Sequence, residues 1–520
     1  MKEIHFFLIA LSLVFGVCFG ASAGATPTHI TQTNRPVVFK EWPLAGFPSG
    51  KLAELKVSAD NQHLAFAFEE DTKWIVSRDG VEGEPYDKIS DVLFSTDSQH
   101  LVYVGRRGKR SVAVLDGKPQ KFYEGIGPGC VAFSPDSRHL AYMARQQGKW
   151  LAVLDGQEGK GYERIGRTVP LFSPDSRRLA YPALDKTNCF MVIDGKEDMP
   201  CDGTGPFRFS PDGRHYGYVV PRADSYAVVL DGKATDFAAV LNGGVIFSAD
   251  SQHSMFAACK LTRKMRVYVD GKPGEEFELF TSGCLAFSPN GRRMAWGGYR
   301  GGWRMVVDGH ESPAYDALMA DSLLFSPNSE HVAYAVLRSN QWFVVEDGKE
   351  SARYDGIGAH TLVFSPDSKH FAFSAGLRGK SVAVVDDKES EPYNGFGAHG
   401  IVFSPDSRHW AYAVQRGTAW CVILDGKSSK EYVGIALRPF CFSDDGAHFG
   451  FLAGREDGSV LVVDGQESNP YGQVLVPPAD SGSVKSFSML AVNKDKTGSK
   501  QFVRVTAGVQ GTAARSNIEH

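Results

Sequence analysis

One ten-residue phrase recurs along most of this chain. A clear copy reads Phe133-Ser134-Pro135-Asp136-Ser137-Arg138-His139-Leu140-Ala141-Tyr142. Its acidic or amide anchor stands at Asp60, Asp97, Asp136, Asp175, Asp212, Asp250, Asn290, Asn328, Asp367, Asp406 and Asp445, with gaps of 37–40 residues. A second anchor, usually Asp-Gly, follows each by 18–20 residues: Asp79, Asp116, Asp155, Asp194, Asp231, Asp270, Asp308, Asp347, Asp386, Asp425 and Asp464. A period of this length marks an array of supersecondary units, each unable to bury its apolar faces alone.

Each unit reads as four short strands. In the third, Cys130–Ser134 is the first strand, and Ser-Pro-Asp-Ser is a tight turn in which Pro fixes φ and Asp or Ser bonds nearby backbone. His139–Ala144 alternates and is the second strand. Trp150–Leu154 is the third. Asp155-Gly156 is a two-residue hairpin, and Tyr162–Ile165 is read as the fourth. Helical periodicity is absent. Four strands in about 39 residues, repeated radially, make a β-propeller blade.

After Tyr471, three more strands read as a degenerate twelfth blade, and Arg35–Trp42 supplies its missing outer strand. Twelve blades exceed the usual 4–8 of one ring. The expectation is therefore all-β with 11–12 four-stranded blades in two tandem propellers, residues 54–240 and 241–508. The boundary is placed in the least regular stretch, Asp202–Cys284. One large ring is the alternative.

Lys2, the apolar run Phe6–Val17 and Ala21-Ser22-Ala23 read as a secretory signal over residues 1–23. The run is too short to span a bilayer as a helix. Residues 24–53 then form an N-terminal segment and 509–520 a disordered tail. The expected location is periplasmic or secreted, with no membrane span in the mature chain. Lys plus Arg number 56 against 60 Asp plus Glu, a net −4, which gives no whole-protein signal for nucleic acid. Seven cysteines remain after the leader, scattered and without a CxxC pair, so zinc is not expected.

The Phe-Ser-Pro-Asp-Ser/Gly-Arg/Lys-x-x-Ala-Tyr/Phe segments at 133–142, 172–181 and 364–373 resemble the WD40-like repeats of TolB-type β-propellers. The resemblance runs from Val57 to Tyr471. It implies an exported bacterial protein that binds other proteins or envelope components, and it offers no catalytic residue to carry over. TolB's separate N-terminal α/β domain has no counterpart here, and the Asp-Gly hairpin is more regular than in TolB.

The chemistry-bearing residues follow the repeat. Nine of the fifteen histidines occupy one slot: His63, His100, His139, His215, His253, His331, His370, His409 and His448. Nine copies of one position describe framework, with imidazole bonded to backbone or carboxylate at a turn. His360 and His399 share a second slot. No Gly-x-Ser-x-Gly elbow or phosphate loop occurs. Asn493-x-Asp495-x-Thr497-Gly498 imitates a calcium loop, but its twelfth position is Arg504 rather than a carboxylate. No catalytic, cofactor or metal residue is assigned. Cys189 and Cys201 flank the Asp194-Gly195 hairpin, each six residues from Gly195, so antiparallel pairing can set them opposite each other; a disulfide is expected, with two packed thiols as the alternative. Trp74, Trp150, Trp303, Trp342 and Trp420 recur at the start of the third strand, and the shared slot points to inter-blade packing rather than sugar stacking.

Sorting loops by face exposes a polarity that the net charge hides. The second-to-third-strand loops carry about +14, roughly +10 once inter-blade loops are added, while the Asp-Gly hairpins opposite carry about −16. The basic side chains include Arg106, Arg107, Arg110, Arg145, Lys260, Arg263, Lys264, Arg300 and Arg304. They point to an acidic protein surface or an anionic envelope component as partner; export argues against nucleic acid. The reading is an exported, non-enzymatic binding scaffold. A carbohydrate- or peptidoglycan-binding module is the alternative, and a propeller hydrolase or lyase the next.

Overall fold

The computed structural model describes residues 37–509, except 47, 49, 167–168, 186–187, 202, 204, 242, 261–263, 399, 437–439, 477–482, 485–486 and 495–497. The signal segment 1–23, the tail beyond Val509, His399, Arg263 and part of the calcium-loop-like stretch lie outside the described residues.

Every regular element among the described residues is a β-strand. The strands form twelve sheets, here blades 1 to 12, blade 1 opening at Leu52–Val57. Blade 3 shows the plan, with Gly125–Phe133 innermost, then Leu140–Gln146, Lys149–Leu154 and Gln157–Glu158, all antiparallel. The fourth strand is thus Gln157–Glu158, not Tyr162–Ile165. Asp155-Gly156 turns within two residues, with φ of 49° and 80°, so pairing resumes at once. The edge then breaks at Gly159–Gly161. Tyr162 returns as a single bridge to Trp150, and Arg164–Ile165 already belongs to the innermost part of blade 4.

The blades form one ring, not two in tandem. Each junction between successive blades buries apolar side chains from both. Around the proposed boundary, Met191 and Ile193 pack with Tyr218 and Val220; Val228 and Phe237 with Phe256 and Tyr268; Met255 and Phe277 with Trp296 and Val306. That region looked irregular because its fourth strands are long: Lys196–Cys201, Lys233–Phe237 and Lys272–Phe277. Strands of only two residues close most other blades. Full burial of one such large apolar side chain contributes roughly 1.5–3 kcal/mol, so no junction is an economical place to split the array.

The ring closes through its ends. Gln473–Val476, Phe487–Lys494 and Lys500–Val509 make three strands of blade 12, and Val37–Gly46 pairs antiparallel with Lys500–Val509 as the outermost. Blade 12 packs on blade 11 through Val503 and Val505 and on blade 1 through Leu490 and Phe502.

Candidate functional site

The repeated histidines are committed to the hairpins. In all nine repeats Nδ1 lies 2.6–2.8 Å from Oδ2 of the Asp that opens the Asp-Gly turn, as in His139–Asp155 and His409–Asp425. The other carboxylate oxygen accepts the next backbone N–H, such as Leu140 N to Asp155 Oδ1 at 2.9 Å. Blades 4 and 7 use Arg178 Nε on Asp194 and Arg293 Nε on Asp308 at 2.9 and 2.8 Å. An Asp oriented in this way holds the hairpin to the strand before it.

The Ser-Pro-Asp-Ser turns link blades. Ser134 Oγ donates to Asp136 Oδ1 and accepts from His139 N. Asp136 N donates to Ser176 Oγ of the next blade at 2.9 Å. The same link joins Asp97 to Ser137, Asp212 to Ser251, Asn328 to Ser368 and Asp367 to Ser407. Where the next blade carries Gly instead of Ser, the preceding Asp takes the space: a Cβ on Gly446 would stand 2.4 Å from the Asp406 carboxyl carbon.

These turn carboxylates titrate low. The serine hydroxyl, then the backbone N–H, hold Asp97, Asp136, Asp212, Asp250 and Asp445 below the usual range, and Asp367 falls to about 2. A carboxylate with a lowered folded-state pKa stabilises the fold above its unfolded value, near ~4, and that stability is lost as pH falls through the folded value. The urea midpoint is expected to hold from neutral to about pH 4 and to drop towards pH 2, less steeply in Asp367→Asn. A midpoint independent of pH through that window would contradict this assignment.

The structure does not leave the basic loop residues as one unpaired field. Arg107 donates to Glu84 at 2.5 Å and lies 4.5 Å over the Tyr86 ring, both in the linker from blade 1. Arg110 donates to the Phe122 carbonyl at 2.6 Å, and Arg145 lies 4.0 Å from Glu124. Arg300 pairs with Glu275 and Glu311 and covers Phe277. Arg304 donates to the Ser312 carbonyl, and Lys260 sits 5.9 Å over Phe237. Arg338 on Tyr315 and Arg416 on Tyr393 repeat the arginine-over-tyrosine clamp between blades. Arg106, Lys109 and Lys264 are exposed, and the first two crown the blade 2 loop.

Register places Cys189 directly opposite Cys201. Trp74, Trp150, Trp303 and Trp342 are half-buried and pack against the inter-blade clusters.

The sequence reading missed a cleft of about 370 Å³ between blades 9 and 10, where Gly358, Ser374, Gly376 and Ser381 face Phe396. The signal was in the repeat: Ser381 occupies the slot that five other blades fill with tryptophan. Among the described residues no three His, Cys, Asp or Glu side chains converge as a metal site, and no helix is long and apolar enough to cross a membrane.

No protein-family model and no curated protein matches the chain. Its neighbours among solved structures include TolB structures and other β-propellers. TolB from Acinetobacter baumannii is 15% identical over 42% of this chain and 65% of its own, with a TM-score of 0.23. The β-propeller domain of the Trilobed protease from Pyrococcus furiosus is 11% identical over 58% and 94%, at 0.24. A eukaryotic initiation factor is 12% identical over 64% and 96%, at 0.32. These likenesses concern the fold alone.

Proposed function

We propose that the chain is an exported, non-enzymatic propeller scaffold that binds an acidic protein surface or an anionic envelope component through its second-to-third-strand loop face. The observation that carries this reading is the commitment of the repeated histidines and aspartates to hairpins and turns, in register from blade to blade. The chemistry-bearing side chains serve the ring, and the variable parts left over are loops. On the basic face Arg107 and Arg110 serve the ring too, whereas Arg106 and Lys109 are the charges held out to a partner.

The test is retention of the mature chain on immobilised poly-L-glutamate. The chain is retained at low salt and released as salt rises. Arg106→Glu with Lys109→Glu is expected to elute at markedly lower salt with an unchanged melting temperature. Unchanged elution overturns the role of this loop.

We also propose that Cys189 and Cys201 are joined in the exported protein, since directly opposed positions of an antiparallel pair lie within bridging range. Peptide mapping after alkylation without reduction is expected to find neither of them labelled; two labelled cysteines refute the bridge.

A further inference from the structure

In each blade three positions border the space towards the next blade, beside the second-to-third-strand loop. Cross-strand pairing identifies them. Blade 3 has Met143, Arg145 and Trp150; blade 8 has Ala335, Leu337 and Trp342; blade 10 has Ala413, Gln415 and Trp420. Blade 9 has Ser374, Gly376 and Ser381. It is the one repeat of blades 1 to 11 in which all three are Ser or Gly. Blade 11, the nearest to it, keeps Leu452 beside Gly454 and Ser459.

The cleft follows from those three residues. Its walls include Gly358, Thr361, Ser374, Gly376 and Ser381 of blade 9 and Phe396 of blade 10. One blade back, the counterparts of Gly358, Ser374, Ser381 and Phe396 are Met319, Ala335, Trp342 and Ile357, and all four belong to or pack against one filled cluster. In blade 3 the Trp150 ring comes within 3.6 Å of a Cβ built on Gly127, the counterpart of Gly358. The ring therefore shows, in its own repeats, which group this slot accommodates.

We propose that the blade 9 cleft is a receptor for an indole ring, delivered as the tryptophan side chain of a partner polypeptide. An indole buries a large apolar surface and carries one N–H that needs an acceptor when buried. The Ser374 and Ser381 hydroxyls supply acceptors. Phe396, itself stacked on Tyr412 at 5.2 Å, supplies an aromatic wall. Among the described residues the lining has no charged side chain to hold a free ammonium or carboxylate, which favours an indole inside a peptide over the free amino acid. Trp342 and Trp420 are only partly buried, so the slot reaches solvent at the loop face and an outside residue can enter it. The site shares that face with the proposed charged contact but does not depend on its charge.

The test uses the mature chain and N-acetyl-5-fluorotryptophanamide, followed by fluorine NMR. Saturable binding is expected, at least tenfold weaker in Ser381→Trp, which plugs the slot with the residue its neighbours use. Gly376→Leu is the second plug. A Cβ there meets nothing closer than 3.8 Å and blade 8 carries Leu337 at this position, so this variant is expected to fold and to bind at least tenfold more weakly. Free 5-fluorotryptophan is expected to bind at least tenfold more weakly than the amide. Absence of saturable binding, or an affinity that neither plug changes, overturns the site. Free tryptophan binding as tightly as the amide overturns the polypeptide source.

Discussion

A mature chain lacking every residue up to Gly46 is expected to dimerise or aggregate and to unfold at a much lower urea concentration than the full chain. The deletion removes the outermost strand of blade 12, which pairs from Val37↔Val509 to Gly46↔Gln501. It also removes side-chain ties across the seam: Val37 N to Gln466 Oε1 at 2.9 Å, Tyr471 Oη to Glu41 Oε1 at 2.5 Å and Asn493 Nδ2 to Glu41 Oε2 at 2.8 Å. What remains is a ten-residue strand, Lys500–Val509, with one edge unpaired. An edge of that length is a template for pairing with another chain. Light scattering and urea titration read the outcome. A synthetic peptide spanning residues 36–47, added in trans, is expected to restore the monomer by filling the vacant edge. A truncated chain that stayed monomeric with an unchanged midpoint would show that the seam does not hold the ring.

Phe502→Ala is the single substitution expected to cost most at that seam, about 3–5 kcal/mol, through lost transfer energy and an uncollapsed cavity. Phe502 is fully buried. Its ring lies 5.0 Å from that of Phe66 in blade 1, in a cluster with Leu64, Phe68, Leu490 and Val492. Neighbours on both sides are strands of a closed ring and cannot move in to fill the space. Urea denaturation gives the difference, with Val81→Ala as reference. Val81 is exposed at 74%, and that change is expected to stay within about 0.5 kcal/mol. Equal losses in the two variants would mean that the 12–1 junction contributes nothing particular to stability.

The two-anchor period carried the blade. Ser-Pro-Asp-Ser and Asp-Gly are turn chemistry that acts within a few residues, so the sequence alone is enough to read them. The histidine slot was legible for the same reason, since His139 and Asp155 recur together in nine copies. The fourth strand was misplaced because Tyr162 looks like a strand residue; it makes a single bridge beyond a glycine break. One ring rather than two was not legible, because closure depends on the small rotation accumulated at every junction and no single residue encodes it. The loop arginines illustrate the same limit. Arg107 reads as free charge until folding brings Glu84 and Tyr86, more than twenty residues earlier, beneath it. The blade 9 cleft was legible in principle. Ser381 breaks the row of tryptophans, and the informative member of the row is the one that lacks the ring.

The closing strand has a consequence in time. Val37–Gly46 is synthesised before blades 1 to 11, and its partner Lys500–Val509 after them. At ordinary elongation rates of about 5–20 residues per second, the two are separated by on the order of a minute. Throughout that interval the growing array is an open arc with an orphan strand at its leading end and an unfinished blade at the other. The strand waits mostly exposed, and Lys40 and Glu41 keep it from being a bare apolar ribbon. The molecule becomes a circle only when those two strands pair, and any handling of the chain before that event acts on a different shape.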